Sequence, residues 1–119
     1  MASRYTELCI DCADPEKLAE FWCAVLDYKI TERDDDEVEI KGSRDTDPSI
    51  LFARVPEKKT VKNRLHIDLS PSDREQDAEV ERIKALGATP VDIGQGDVSW
   101  VVLADPEGNE FCVLSQRRP

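Results

Sequence analysis

The chain lacks a long hydrophobic run. No apolar segment is long enough to span a membrane or to form the core of a secretory signal. This absence predicts a cytoplasmic protein with no membrane partner. The length of 119 residues, with 35% charged and 39% hydrophobic residues, is typical of one globular domain.

Basic residues are also scarce. The chain has 16 Lys and Arg against 26 Asp and Glu, for a formal net charge of -10. This balance argues against nucleic acid as a partner, because binding phosphate groups requires a basic surface. An acidic surface of this kind usually serves solubility.

Histidine occurs only once, as His66, and no nucleophile is placed beside it, so nothing resembles a serine triad. Among the four cysteines, Cys9 and Cys12 have the spacing of a redox or metal motif. They fall in a predicted strand, where residues three apart point to opposite faces and cannot share one ion. We expect four reduced thiols, with Cys12 packed under a helix and Cys9 on the opposite face.

The chain does contain an internal duplication. Its first copy starts with a predicted strand over residues 4–12. Asp14 and Pro15 then mark a helix start, because the Asp14 side chain can cap free N–H groups and Pro15 suits the first helical position. Apolar residues from Leu18 onwards recur with helical spacing and predict a helix end near Leu26. Three strands follow, over 28–33, 37–41 and 49–55.

The second copy repeats this order. Residues 64–69 alternate polar and apolar side chains, the pattern of a strand with one buried face. Ser72 and Glu75 match a capping box and predict a helix over 72–86, with Gly87 placed as a left-handed C-terminal cap. Three further strands are predicted, over 90–93, 99–103 and 110–114.

Each copy is therefore a βαβββ module, and the predicted fold class is α+β. The modules cover about 4–56 and 62–115 of a single domain, 1–119. A strand-rich module of this size cannot bury both faces of its sheet alone, so we expect the two to share a sheet or a cleft. The edge strands of each half-sheet predict a homodimer; a monomer that completes its own cleft is the alternative.

Several segments, taken in order, resemble one family. They are Asp11-Cys12-Ala13-Asp14-Pro15 with Phe21-Trp22 and Leu26, the strand 64–69, Leu86-Gly87-Ala88, and Val98-Ser99-Trp100 leading to 105–111. This series resembles the glyoxalase-like members of the vicinal-oxygen-chelate superfamily, which includes bleomycin-resistance proteins and extradiol dioxygenases. The resemblance covers nearly the whole chain. It implies that the two modules form a curled mixed sheet, an open cup with helices outside and a ligand or metal site inside.

Strand parity selects the side chains that would face such a cup. In the fifth strand, Leu65, Ile67 and Leu69 are expected to face the helix layer, which directs Arg64, His66 and Asp68 into the cup. His66 is then a candidate general base, with Asp68 as the residue that orients it. A hydrogen-bonded structural histidine is the alternative.

The resemblance places metal ligands at His66 and, in the first module, at Glu7. Metal-dependent members of the superfamily carry a glutamate in the last strand, and here that position is Cys112. The fourth-strand position, near Phe52, offers no ligand. Glu7, His66 and Cys112 could hold zinc in a mixed O, N, S site, and manganese, nickel and iron are the other candidate metals. A cup that has lost its metal is the alternative.

Further ligand-binding candidates come from the cup walls. Trp100, in the predicted seventh strand, could stack on a planar ligand. Arg54, at the end of the fourth strand, could bind an anionic group, or it could be solvated. Parity adds Arg64, Cys9 and Glu110 to the same face.

Three functions therefore remain open for a small-molecule partner. The first is a glyoxalase-like binding protein, which the missing last-strand glutamate favours. The second is a metal-dependent lyase, isomerase or dioxygenase, and the third is a metal-free acid–base enzyme that uses His66. The ligand itself cannot be named, because one fold supports many reactions.

Overall fold

Both halves of the chain repeat one order of elements in the computed structural model, which describes all residues from 1 to 119. The chain divides into two units, Met1–Lys58 and Lys59–Pro119. Each unit has the order βαβββ, so the predicted α+β fold is confirmed. The elements are β1 (Glu7–Cys12), α1 (Pro15–Leu26), β2 (Lys29–Arg33), β3 (Glu37–Lys41), β4 (Ser49–Arg54), β5 (Asp68–Leu69), α2 (Gln76–Ala85), β6 (Thr89–Pro90), β7 (Val101–Ala104) and β8 (Glu110–Val113).

The first unit packs α1 against β3 and β4 of a four-stranded mixed sheet with the order β1-β4-β3-β2. β1 runs parallel to β4, and the other neighbours are antiparallel. The helix starts as predicted: Asp14 accepts a hydrogen bond from the Lys17 backbone N–H at 3.2 Å, and Pro15 is the first helical residue. Trp22 and Phe52 are almost fully buried and form the centre of this core.

The cysteines match their predicted state. All four are free thiols. In β1, Cys12 is buried and Cys9 is exposed. The two residues therefore lie on opposite faces of the strand, which agrees with the argument against a shared ion.

The second unit has a mixed sheet with the order β5-β8-β7-β6, in which β5 runs parallel to β8 and β7 is antiparallel to both of its neighbours. Its core contains Ile83 of α2 together with Leu103, Phe111 and Val113, all almost fully buried. Because successive residues of a strand point to opposite faces, Glu110 and Cys112 of β8 lie on the other face of the sheet.

The fifth strand is shorter than predicted. Only Asp68 and Leu69 pair with β8, although the Ile67 carbonyl also accepts the Cys112 N–H at 3.0 Å. Leu65 is 84% exposed, so the expectation that it faces the helix layer was wrong. The segment before β5 uses other bonds, since the Asn63 N–H donates to the Glu110 carboxylate at 2.9 Å.

The second helix also starts later than predicted. It begins at Gln76, and Glu75 occupies the N-cap position without a side-chain capping bond, so the capping box of Ser72 was wrong. The Gln76 amide instead donates to the carbonyls of Ser99 and Val113, which ties the helix start to other parts of the unit. The end of this helix agrees better with the prediction: the helix ends at Ala85, and Gly87 has the positive φ, 126°, that was expected of a C-terminal cap.

The sixth and seventh strands are shorter than predicted as well, and Trp100 lies just before β7 rather than within it. Side chains of the intervening loop bind its own backbone: Asp92 accepts the Gly94 N–H and Gln95 accepts the Ile93 N–H, each at 2.8 Å. Such local bonds compete with strand pairing. Neither helix is long and apolar enough to cross a membrane.

The turn between β7 and β8 depends on one buried carboxylate. Asp105 is 4% exposed. It accepts hydrogen bonds from the backbone N–H groups of Glu107 and Asn109 and from the Asn109 side-chain amide. Gly108 completes the turn with a φ of 86°. This turn sets the position of β8.

We expect Asp105→Ala to lower the free energy of unfolding by about 1–3 kcal/mol, the usual cost of leaving buried polar groups unsatisfied. Urea unfolding followed by circular dichroism measures this change. Asp34→Ala is the matched control, because Asp34 accepts two backbone N–H groups in an exposed turn, where water can replace it. An equal loss of stability in both variants would contradict the role of burial.

Candidate functional site

A pocket of about 300 Å³ lies within the second unit. Residues of β5, β7 and β8 line it, together with the segment before β5 and the loop before β7. Its apolar wall consists of Ile93, Trp100, Val102 and Leu114. The remaining lining is polar and is concentrated around two carboxylates, Asp68 and Glu110.

The first polar cluster consists of His66, Asp68 and Cys112, whose potential ligand atoms all lie within 4.8 Å of one another. Strand pairing creates it, because Asp68 of β5 is the register partner of Cys112 in β8. His66 Nε2 lies 3.2 Å from Asp68 Oδ1, and the two side chains are 45% and 50% exposed. Cys112 is buried. The predicted proximity of His66 and Asp68 is therefore present, and Cys112 joins them.

The Cys112 thiol is held in its protonated form. Burial, the negative charge of Asp68 and a hydrogen bond to the Asp68 carboxylate raise the pKa of Cys112, and the positive charge of Lys62 opposes them. A thiol with a raised pKa is a poor nucleophile at neutral pH, since the thiolate is the reactive form. A metal ion would likewise have to displace this proton, because a metal ligand must also be a thiolate.

The second polar cluster is an ion pair around Glu110, which is 8% exposed. Lys59 Nζ lies 2.8 Å from Glu110 Oε2, and the Asn63 N–H donates to Oε1 at 2.9 Å. Although burial opposes ionisation, these bonds and the Lys59 charge hold the pKa of Glu110 below its usual value. Both carboxylate oxygens are engaged, so Glu110 shapes the pocket wall and has little capacity to bind a ligand.

Trp100 lines the pocket and is 41% exposed. The carbonyl of its neighbour Ser99 accepts a hydrogen bond from the Gln76 side chain at 2.8 Å, which restrains the backbone next to the ring. Gln95, also in the lining, is occupied by bonds to the backbone of Ile93 and Val91.

The other predicted site residues lie elsewhere. Arg64 is exposed and is not part of the pocket lining. Arg54, in the first unit, donates to the carbonyls of Ala13 and Asp35, so its contacts hold neighbouring loops. Its predicted role in binding an anion has no support from these contacts.

Glu7 and Cys9 are both exposed in β1 of the first unit. Glu7 accepts a hydrogen bond from the Ser49 hydroxyl at 3.0 Å. Partial burial raises the pKa of Cys9, and the negative charges of Asp11, Glu37 and Glu7 raise it further. The roles of Glu7 and Cys9 in binding a metal or ligand stay predictions.

Sequence reasoning missed several lining residues of the pocket, which are Lys62, Asn63, Ile93, Gln95, Val102 and Leu114. It also missed Lys59, which lies outside the lining and binds Glu110 across 51 positions of the chain. The sequence around Lys59 or Glu110 does not predict an ion pair between residues so far apart. One general signal existed: a carboxylate predicted inside a strand next to apolar residues needs a partner when it is buried.

The Glu110 pair predicts a pH-dependent contribution to stability. Because the folded pKa of Glu110 is lowered from 4.5, the contribution is complete above the unfolded value and is lost as pH falls through the folded value. We expect Glu110→Gln to destabilise the protein at neutral pH by about 1–3 kcal/mol. The difference from wild type should shrink below about pH 4.

Urea unfolding at a series of pH values measures this difference. Glu57→Gln, a change at an exposed residue of the first unit, is the control and should follow the wild-type profile. A pH-independent cost for Glu110→Gln would refute the ionic contribution of this pair.

Comparison with known proteins agrees with this architecture. The family model for the glyoxalase-like domain matches residues 7–114. No curated protein matches the chain.

Solved structures match across nearly all of the chain. A glyoxalase/bleomycin resistance protein/dioxygenase family enzyme from Burkholderia phytofirmans is 19% identical with a TM-score of 0.73, and the match covers 93% of this chain and 97% of that one. A glyoxalase/bleomycin resistance protein from Albidiferax ferrireducens is 20% identical with a TM-score of 0.66, covering 98% and 100%.

A mutant of the fosfomycin resistance protein FosX from Listeria monocytogenes, complexed with Mn(II) and 1S,2S-dihydroxypropylphosphonic acid, is also similar. It is 18% identical with a TM-score of 0.72, covering 98% of this chain and 92% of that one. At these identities the structural matches establish the fold alone. The family model, which spans both modules, shows that the chain belongs to the glyoxalase-like domain family.

Proposed function

We propose that the protein binds a small, planar, mainly apolar molecule in the pocket of its second unit. The observation that carries this proposal is Trp100, a large aromatic side chain that lines the pocket and is 41% exposed. Aromatic side chains with open faces bind planar ligands through stacking and apolar contact. The volume of about 300 Å³ suits a ligand of one or two rings.

The polar groups limit the chemistry of the ligand. Glu110 and Gln95 are engaged within the protein, as described above. His66 and Asp68 are half-exposed at the same pocket and can meet a ligand. We therefore expect an apolar ring system with one polar end, such as a hydroxyl or amine that donates to the Asp68 carboxylate.

Intrinsic fluorescence tests this binding mode, because the two tryptophans differ in exposure. Trp100 is 41% exposed and Trp22 is 1% exposed, so a pocket ligand should quench Trp100 and leave Trp22 as an internal reference. A panel of aromatic alcohols and amines, each paired with an aliphatic compound of the same polar group, provides the probes.

We expect Trp100→Ala to weaken binding of an aromatic probe by about 2- to 10-fold, the loss of a stacking contribution of about 0.5–1.5 kcal/mol. Thermal shift or calorimetry measures the affinity independently of fluorescence. Tyr5→Ala, which removes an exposed aromatic side chain of the first unit, is the matched control and should bind normally. Equal binding of aromatic and aliphatic probes would reject the proposed mode.

A metal-dependent lyase, isomerase or dioxygenase is the second candidate. Its support is the His66, Asp68 and Cys112 cluster, which brings an imidazole, a carboxylate and a thiol within 4.8 Å of one another. These donors fit a divalent first-row ion once the thiol is deprotonated. Such an ion supplies Lewis-acid polarisation of substrate oxygen atoms, while the apolar wall with Trp100 orients the rest of the substrate.

Metal content of the purified, untagged chain tests the second candidate. After equilibration with zinc, manganese, nickel or iron(II), mass spectrometry should find near-stoichiometric metal in the wild type and little in His66→Ala. Asp92→Ala, a change in an exposed turn, should keep its metal. Metal retained by His66→Ala would place the ion elsewhere.

The third hypothesis, a metal-free acid–base enzyme, uses the same His66 and Asp68 pair. The 3.2 Å separation of His66 Nε2 and Asp68 Oδ1 suits a carboxylate that orients an imidazole. This hypothesis stays a prediction, and activity without bound metal would distinguish it from the second candidate.

A further inference from the structure

We propose that His66, Asp68 and Cys112 form a thiolate-containing metal site that selects zinc and similar thiophilic ions over manganese, an inference that rests on the metal-dependent candidate function. The cluster holds one nitrogen, one oxygen and one sulfur donor. Imidazole and thiolate favour zinc and cobalt, whereas manganese favours sites built mainly from oxygen.

The surroundings of the cluster strengthen this selection. Only two carboxylates line the pocket, Asp68 and Glu110. Glu110 is already bonded to Lys59 and to the Asn63 N–H through both of its oxygens. A hard ion that prefers several carboxylate ligands would find only Asp68 without a lysine partner, and it would depend on water for most of its coordination shell. A tetrahedral zinc ion bound by His66 and Cys112 needs only one of the two pocket carboxylates, Asp68.

The positions of the donors require a modest contraction around a metal ion. Ligand atoms around tetrahedral zinc lie about 3.3–3.7 Å apart, as metal–ligand distances near 2.0–2.3 Å demand. The His66 and Asp68 pair is already at 3.2 Å. The widest separation in the cluster is at most 4.8 Å. His66 and Asp68 are half-exposed and can adjust by side-chain rotation, while Cys112 is fixed in β8.

Binding exchanges a proton for the metal. The S–H bond of Cys112 breaks, the proton leaves to solvent, and the thiolate forms a bond to the ion without any change of oxidation state. The positive ion then replaces the proton that now lies between Cys112 and the negatively charged Asp68. Three protein ligands leave a fourth tetrahedral position for water or a substrate oxygen, the composition of a catalytic zinc site.

Cobalt(II) provides the direct test, because a thiolate–cobalt(II) bond produces a near-ultraviolet charge-transfer absorption that oxygen and nitrogen ligands do not. Titration of the full chain with cobalt(II) should produce this absorption at one equivalent. Zinc should then abolish it, whereas manganese at the same concentration should not. We expect zinc to bind at least about 100-fold more tightly than manganese, in line with the order of affinities for such donors.

Cysteine variants identify which thiol binds the metal ion. Cys112→Ser should lose the charge-transfer absorption, and Cys9→Ser, which changes an exposed thiol of the first unit, should keep it. Asp68→Asn should weaken zinc binding by about 10-fold or more. Far-ultraviolet circular dichroism verifies folding. If Cys112→Ser does not fold, loss of the absorption in His66→Ala, with its retention in Cys9→Ser, locates the site at this cluster.

The outcomes separate this inference from the function on which it rests. Metal binding without charge transfer, or with manganese as tight as zinc, would overturn the thiolate site but leave the metal-dependent function standing. The absence of binding by every ion would overturn both. Charge transfer that survives in a folded Cys112→Ser variant would also overturn the assignment.

Discussion

The candidate site depends on the parallel pairing of β5 with β8, which involves only the register partners Asp68 with Cys112 and Leu69 with Val113. This short contact brings a carboxylate beside a buried thiol, and His66, two residues earlier, reaches the same carboxylate. A shift of one residue would turn Asp68 to the other face of the strand and separate the cluster. The Asp105 turn supports the register because it sets the start of β8.

β8 is buried on both faces, so any polar side chain in this strand needs a partner within the protein. All of its residues are buried, including the carboxylate of Glu110. A buried charge is stable only with a partner, and Lys59 and the Asn63 N–H provide one. The Glu110 carboxylate therefore stabilises the fold, whereas the half-exposed Asp68 carboxylate can contact a ligand or an ion.

Local patterns predicted the first module well. The Asp14 cap, the Pro15 helix start and the opposite faces of Cys9 and Cys12 all follow from bonds and geometry within a few residues. They were less reliable in the second module. Ser72 matched a capping box, yet the helix begins at Gln76, whose side-chain amide donates to the carbonyls of Ser99 in the loop before β7 and of Val113 in β8. Trp100 lies before β7, in a loop whose polar side chains Asp92 and Gln95 bind its own backbone.

By itself, the sequence determined the two βαβββ modules, the α+β class and the placement of His66 and Asp68 side by side, since periodicity and parity act over short distances. Only the tertiary structure decided that Cys112 joins this pair, that Glu110 is locked by Lys59, and that Leu65 is exposed. These outcomes depend on which strands become neighbours and on the cost of burying charge. Both are properties of contacts between residues far apart in the chain.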